Sequence, residues 1–214
     1  MKKVDLIVFD LDGTLVNTGD DLTSSVNHTL SVLNIPLLGK ETVLSFVGDG
    51  VGKLIERSLG NENHHRFDEA LGIFSDYYSE HQLDKTELYP GVREILDYFK
   101  DIKKCIVTNK LHSFALNISQ ALEIDGYFDD IIGMGSTPYI KPDPRLVCSL
   151  LEQYDIKKEK AVVVGDGKND IMMAKKSGVS SCAFLNGLSE REKLLRYKPD
   201  YTCESMAELK EIFS

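Results

Sequence analysis

Acidic residues that could do chemistry fall in two tight groups, Asp10-Leu11-Asp12-Gly13-Thr14 and Gly165-Asp166-Gly167-Lys168-Asn169-Asp170. Between them lie Thr108-Asn109-Lys110 and Lys141-Pro142-Asp143-Pro144. A carboxylate such as Asp10 can attack phosphorus and form an aspartyl-phosphate, which splits one hard hydrolysis into two easier transfers. A second carboxyl group two residues on, Asp12, can protonate the leaving alcohol and then deprotonate the attacking water. Thr108, Asn109 and the backbone N–H groups of the Leu11–Gly13 turn can hold phosphoryl oxygens, with Lys141 offsetting their charge. Four carboxylates (Asp10, Asp12, Asp166, Asp170) converging in a partly dry site repel one another, so a divalent cation is expected, and oxygen ligands favour Mg²⁺ over zinc. Taken singly, each segment also reads as a turn or a helix cap, because Asp-Gly pairs form turns and Asp or Asn caps helices.

The elements that must position these residues decide between the readings. Val4–Phe9 is a short apolar run before Gly13, the pattern of a buried strand ending in a turn. From about Asn17 to His81 the pattern is helical. Leu22, Val26, Leu30 and Leu33 recur at helical spacing up to Pro36 and Gly39; Val51, Leu54, Ile55 and Leu59 mark a second helix ending at Gly60; Phe67 to Tyr78 lays an apolar stripe on a third. Beyond Tyr89-Pro90-Gly91 helices and strands alternate. Helices are expected at Val92–Phe99, Ser113–Leu122, Pro144–Tyr154, Ile171–Lys176 and Met206–Phe213. Strands are expected at Cys105–Thr108, Asp130–Gly133, Ala161–Gly165, Ser181–Leu185 and Tyr201–Cys203. Such alternation predicts a Rossmann-like α/β core with a parallel sheet covered on both faces. The expected division is a core of residues 1–15 and 86–214 and a helical cap of residues 16–85, inserted after the first strand. Ligands of open parallel sheets bind beyond the carboxyl ends of the strands, which is where Asp10, Thr108 and Asp166 fall.

The net charge of −9 over 214 residues gives no electrostatic reason for a nucleic-acid or acidic-membrane partner. No apolar run approaches the roughly 20 residues that span a bilayer. The start lacks the uncharged segment and cleavage site of a secretory signal, because Asp5 and Asp10 interrupt it. Cys105, Cys148, Cys182 and Cys203 form no CxxC pair and read as reduced thiols, three of them buried. A cytoplasmic location, a small phosphate ester as partner, and a monomer or homodimer are the expectations.

With Asp10-Leu11-Asp12-Gly13-Thr14, Thr108, Lys141 and Gly165-Asp166…Asp170 in this order, the chain resembles the haloacid dehalogenase (HAD) superfamily, in its phosphatase branch. The resemblance spans essentially the whole chain. It implies Asp10 as nucleophile, Asp12 as general acid/base, and Thr108 and Lys141 as phosphate ligands. It also implies Mg²⁺ held by Asp10, the backbone carbonyl of Asp12 and Asp166, with Asp170 nearby, and a cap that closes over the substrate. The family's dehalogenases lack the acid at the position of Asp12, so phosphoryl chemistry is favoured. Val107-Thr108-Asn109-Lys110 and Phe46-Val47-Gly48-Asp49-Gly50-Val51-Gly52-Lys53 look most like phosphoglycolate phosphatases; Leu88-Tyr89-Pro90-Gly91-Val92 is shared with related sugar-phosphate and pyrophosphate hydrolases. Inorganic pyrophosphatase and β-phosphoglucomutase-like transfer are therefore the enzymatic alternatives. A phospho-accepting signalling domain or a silent binding protein would be alternatives of another class; Asp12 and the long insertion stand against the first, the intact motifs against the second.

Gly48-Asp49-Gly50-Val51-Gly52-Lys53 is not a P-loop, since Val47 and Leu54 stand where Gly and Ser/Thr are needed. It reads as a cap loop opening a helix, and Gly48, Asp49, Gly50 and Lys53 are candidates to meet an anionic substrate tail, with Arg57 as further cap charge. Asp10–Leu15 fails the EF-hand pattern at Thr14 and Leu15. His64 and His65 read as surface residues, and the Phe67–Tyr78 stripe as helix packing.

Overall fold

The computed structural model describes residues 1–214. Strand β1 (Leu6–Phe9) is apolar at every position and buried on both faces, as a central parallel strand must be. It lies between β4 (Lys103–Leu111) and β6 (Ala161–Gly165) in a six-stranded, all-parallel sheet. On the far side of β4 runs β5 (Asp130–Met134); beyond β6 come β7 (Ser180–Phe184) and β8 (Tyr201–Cys203). The crossover helices are α5 (Val92–Tyr98), α6 (His112–Ala121), α7 (Arg145–Gln153), α8 (Lys168–Ser177) and α9 (Arg191–Leu195), and α10 (Leu209–Ile212) follows the last strand. One face of the sheet packs Ile7, Phe9, Ile106 and Val164 against Leu96, Phe99 and Ile118. The other packs Leu6, Val8, Val107 and Val163 against Leu146, Leu150 and Met173.

The insertion after the first strand is helical: α1 (Gly19–Val32), α2 (Lys40–Leu44), α3 (Val51–Leu59) and α4 (Phe67–His81). It has its own apolar core of Leu22, Val26, Leu30, Leu54, Ile55, Phe74 and Tyr78. The chain leaves and re-enters the core through a two-strand antiparallel stem, β2 (Val16–Asn17) on β3 (Glu87–Leu88). Asp21 braces this stem: its buried carboxylate accepts the Thr86 N–H at 2.8 Å and hydroxyl at 2.7 Å. No helix is long and apolar enough to cross a membrane.

Several expected boundaries move. The strand expected at Cys105–Thr108 extends to Lys103–Leu111; within its first residues the buried ammonium of Lys104 is satisfied by the carbonyls of Phe99 and Ile102 at 2.7 and 2.9 Å. The helix expected at Met206–Phe213 divides into a 3-10 turn, Met206–Glu208, and the single turn α10. The stem pair β2–β3 and the short helices α2 and α9 carry too few residues for a periodic signal. Cys105, Cys182 and Cys203 are buried and Cys148 is exposed; all four are free thiols.

Candidate active site

Asp10 directly follows β1, Thr108 lies on β4 next to it, and Asp166 directly follows β6. In-register pairing of Phe9 with Ile106 on one side and Val164 on the other brings these three to one rim. Lys141 reaches the same point from the segment before α7, and Asp170 from the first turn of α8. A cavity of about 700 Å³ lies between this rim and the cap, and Asp10, Asp12, Thr108, Lys141, Asp166 and Asp170 all line it.

Lys141, only 3% exposed, places Nζ 2.6 Å from Oδ1 of Asp10 and 2.7 Å from Oδ1 of Asp170. The other oxygen of Asp170 accepts the N–H of Gly167 at 3.0 Å, which also caps α8. Asp166 is fixed by four hydrogen bonds to three groups. Its Oδ2 accepts the N–H groups of Leu188 (2.8 Å) and Ser189 (3.1 Å), its Oδ1 accepts the Thr14 hydroxyl at 3.2 Å, and its own N–H donates to that hydroxyl. Gly13 and Gly187 make room for it: an added Cβ at either would come within 2.3 Å of the Asp166 side chain, and Gly13 also has φ +80°.

One oxygen from each of Asp10, Asp166 and Asp170 lies within 4.8 Å of the others. Against these three buried carboxylates stands one ammonium. Burial, with the neighbouring Asp170, pushes Asp10 up to about 7; burial, with Asp10, does the same to Asp166, and burial raises Asp170 as well. Burial opposes the charge of Lys141, but Asp10 and Asp170 outweigh it and hold the ammonium above its ordinary range. An excess of crowded, desolvated hard oxygens is the donor set that a small divalent cation requires.

Asp12 points elsewhere. Its Oδ1 accepts the Thr18 hydroxyl at 2.7 Å and the ammonium of buried Lys110 at 3.0 Å. Lys110 also donates to the hydroxyl of Tyr78, on cap helix α4, at 2.6 Å. Thr108 Oγ1 accepts the Lys110 N–H at 3.1 Å, which leaves its O–H free to donate into the cavity.

Four expected binding residues are placed differently from their sequence reading. Both side-chain N–H groups of Asn109 donate to protein carbonyls, Gly48 at 3.0 Å and Lys141 at 3.1 Å, and its Oδ1 accepts the Lys141 N–H at 2.8 Å. Asn109 therefore positions Lys141 and the cap loop, and has no side-chain donor left for phosphate. The N–H of Leu11 donates to Oδ1 of Asp10 at 2.7 Å, and that of Gly13 to the Val16 carbonyl at 2.8 Å, so both shape the turn. Lys53 pairs with Glu56 on the exposed side of α3 and is absent from the cavity wall, whereas Arg57 lines it.

Gly48, Asp49 and Gly50 do border the cavity. The Asp49 carboxylate joins Arg57 of the cap at 2.5 Å to Asn169 and Lys168 of the core at 2.8 and 3.3 Å. Asn169 also donates to the Gly48 carbonyl at 3.0 Å. The sequence marks Tyr78 only as helix packing and gives no role to Lys110, Asn169, Thr18, Leu188 or Ser189. Lys110 and Asn169 stand inside recognised motifs; nothing local marks the others.

Fold and site together define a parallel α/β hydrolase in which an aspartate cluster at the sheet rim is roofed by a helical cap. The family model of haloacid dehalogenase-like hydrolases matches residues 7–184, and the chain belongs to that family. It is 33% identical to a phosphoglycolate phosphatase of Vibrio parahaemolyticus, over 98% of this chain and 96% of that protein. A solved structure from Haemophilus somnus 129pt, described as a predicted phosphoglycolate phosphatase, superimposes with a TM-score of 0.91 at 30% identity, covering 98% of this chain and 97% of the other. A haloacid dehalogenase-like hydrolase of Streptococcus pneumoniae gives a TM-score of 0.88 at 27% identity, with 98% of each chain covered. The aspartate cluster and the family relationship identify an enzyme, a phosphatase acting on a small phosphomonoester through an aspartyl-phosphate.

Proposed function

We propose that the chain is a Mg²⁺-dependent phosphatase whose substrate is 2-phosphoglycolate, with a core of residues 1–15 and 86–214 and a cap of residues 16–85. The observation that carries the mechanism is the placement of the Asp10 carboxylate 2.6 Å from Lys141 at the sheet rim, with Asp12 held apart from it by Lys110 and Thr18. Two carboxyl groups two residues apart thus have different surroundings and can take different roles.

Asp10 attacks phosphorus, the bond from phosphorus to the alcohol oxygen breaks, and protonated Asp12 gives its proton to that oxygen. In the second half-reaction Asp12 takes a proton from water as the water oxygen attacks the aspartyl-phosphate. The bond from phosphorus to Asp10 then breaks, and phosphate and the original carboxylate result. Thr108 donates its hydroxyl to a phosphoryl oxygen, and Lys141 supplies positive charge where negative charge gathers. Asp10, Asp166 and Asp170, with the backbone carbonyl of Asp12, would hold Mg²⁺. When bound, the ion offsets the charge on the phosphoryl oxygens. The cap loop Gly48–Gly50 lines the cavity above the rim, and closure of the cap there would keep water from the reacting group.

The choice of 2-phosphoglycolate rests on the Vibrio parahaemolyticus relative. A steady-state screen with Mg²⁺ over 2-phosphoglycolate, sugar phosphates and pyrophosphate tests it. The highest kcat/KM is expected for 2-phosphoglycolate. Preference for pyrophosphate or a hexose phosphate would reassign the substrate, and no turnover of any phosphate would overturn the enzymatic reading.

A further inference from the structure

Lys110 is a buried cation that the phosphate chemistry above does not use. Its side chain is 5% exposed. It has three donors; one goes to Asp12 Oδ1 at 3.0 Å and one to the Tyr78 hydroxyl at 2.6 Å. Its ammonium also lies 4.7 Å from the centre of the Tyr78 ring. That ring is held by both parts of the molecule, stacked at 5.3 Å on Phe74 of the cap and edge-on at 5.1 Å to Phe114 of core helix α6. Thr18, where the chain enters cap helix α1, supplies the other bond to Asp12, and it goes to the same oxygen. Oδ1 of Asp12 is therefore occupied twice, while Oδ2 has no partner in the protein.

We propose that Lys110 is a positioning residue for the acid/base step: braced by Tyr78 of the cap, it works with Thr18 to tie down Oδ1 of Asp12, so that Oδ2 alone exchanges the proton with alcohol and water. This rests on the phosphatase reading above and deepens it. Because Tyr78 belongs to the cap and Lys110 to a core strand, seating the cap and setting the Asp12 rotamer become one event. An active site with the cap displaced would still contain every catalytic group, but its acid would not be aimed.

The test exploits the leaving group. An aliphatic alkoxide needs its proton in the transition state; p-nitrophenolate does not. Phospho-enzyme formation is measured by rapid quench with the best aliphatic phosphate from the screen, and by the nitrophenolate burst with p-nitrophenyl phosphate, for wild type, Lys110→Met and Tyr78→Phe. For Lys110→Met, a loss of about 100-fold is expected with the aliphatic phosphate, the lower end of what general acid catalysis contributes, and a burst near the wild-type rate with p-nitrophenyl phosphate. Tyr78→Phe keeps the ring packing and is expected to show the same split at smaller size. Equal losses on both leaving groups, or a rise in KM with kcat intact, would overturn the proposal. Should Lys110→Met fail to fold by thermal melting, Tyr78→Phe decides by the same comparison. A wild-type protein inert to both phosphates is a different failure and would sink the phosphatase reading itself.

Discussion

The side-chain amide of Asn109 clamps the backbone of Lys141 at two points, accepting from its N–H at 2.8 Å and donating to its carbonyl at 3.1 Å. The ammonium of that same lysine lies between Asp10 and Asp170. Its placement thus depends on a residue two positions before the end of β4, where the strand register also shifts. Asn109→Ala removes both bonds together with the bond to Gly48 in the cap. Displacement of a catalytic group by about 1 Å costs about 100-fold in rate. A kcat loss of about that size is expected, with melting lowered by loss of buried hydrogen bonds. A variant with wild-type kcat would show that Lys141 is held by its carboxylate partners alone.

Gly13 has no room for a side chain. Its φ of +80° and the 2.3 Å approach of a would-be Cβ to Oδ2 of Asp166 act together. Gly13→Ala is expected to push the Asp166 carboxylate off its three hydrogen-bonding partners, Thr14, Leu188 and Ser189, and to weaken Mg²⁺ binding. Titration calorimetry with Mg²⁺ checks this, since it needs no substrate. Unchanged affinity would show that Asp166 is not needed at the metal position.

The acid cluster also makes a prediction about pH. Asp10 is held up at about 7 by burial and Asp170, far above its ordinary 3.8. Between those values the folded protein binds more protons than the unfolded chain, so this group lowers stability as pH rises toward 7 and through it. In metal-free protein, Asp10→Asn is therefore expected to raise the melting temperature relative to wild type at pH 8, and the gap should shrink as pH falls to 5. A gap independent of pH would contradict the buried, proton-hungry state of Asp10.

Much of this site was legible in the sequence because two of its carboxylates directly follow short apolar strands. Asp10 after Leu6–Phe9 and Asp166 after Ala161–Gly165 could be assigned to one rim as soon as the sheet was read as parallel. The insertion was equally plain, since helical spacing from Leu22 to Tyr78 breaks a pattern that is otherwise strand and helix in turn. What stayed hidden depends on long-range partners. Nothing near Asn109 says that its amide will be spent on Lys141, 32 residues on. The N–H of Gly13 is taken up by Val16 through a turn whose φ only coordinates reveal. Lys53 and Arg57 are one helical turn apart, and only packing decides that the second faces the cavity. Leu188 and Ser189 hold Asp166 through backbone N–H groups, which any residue but proline could supply.

The central claim is that phosphate passes through Asp10. It is tested most directly by quenching the Asp12→Asn variant in acid during turnover of a phosphate ester and mapping the bound phosphate by mass spectrometry. Asp12→Asn slows both half-reactions, and the attack by water, which needs a base, should suffer enough for the intermediate to accumulate. The predicted result is one hydroxylamine-labile phosphate on the peptide carrying Asp10, absent when Asp10→Asn is added. Steady turnover by wild type with no labile phosphate on that peptide, or near-native rates in Asp10→Asn, would contradict the account.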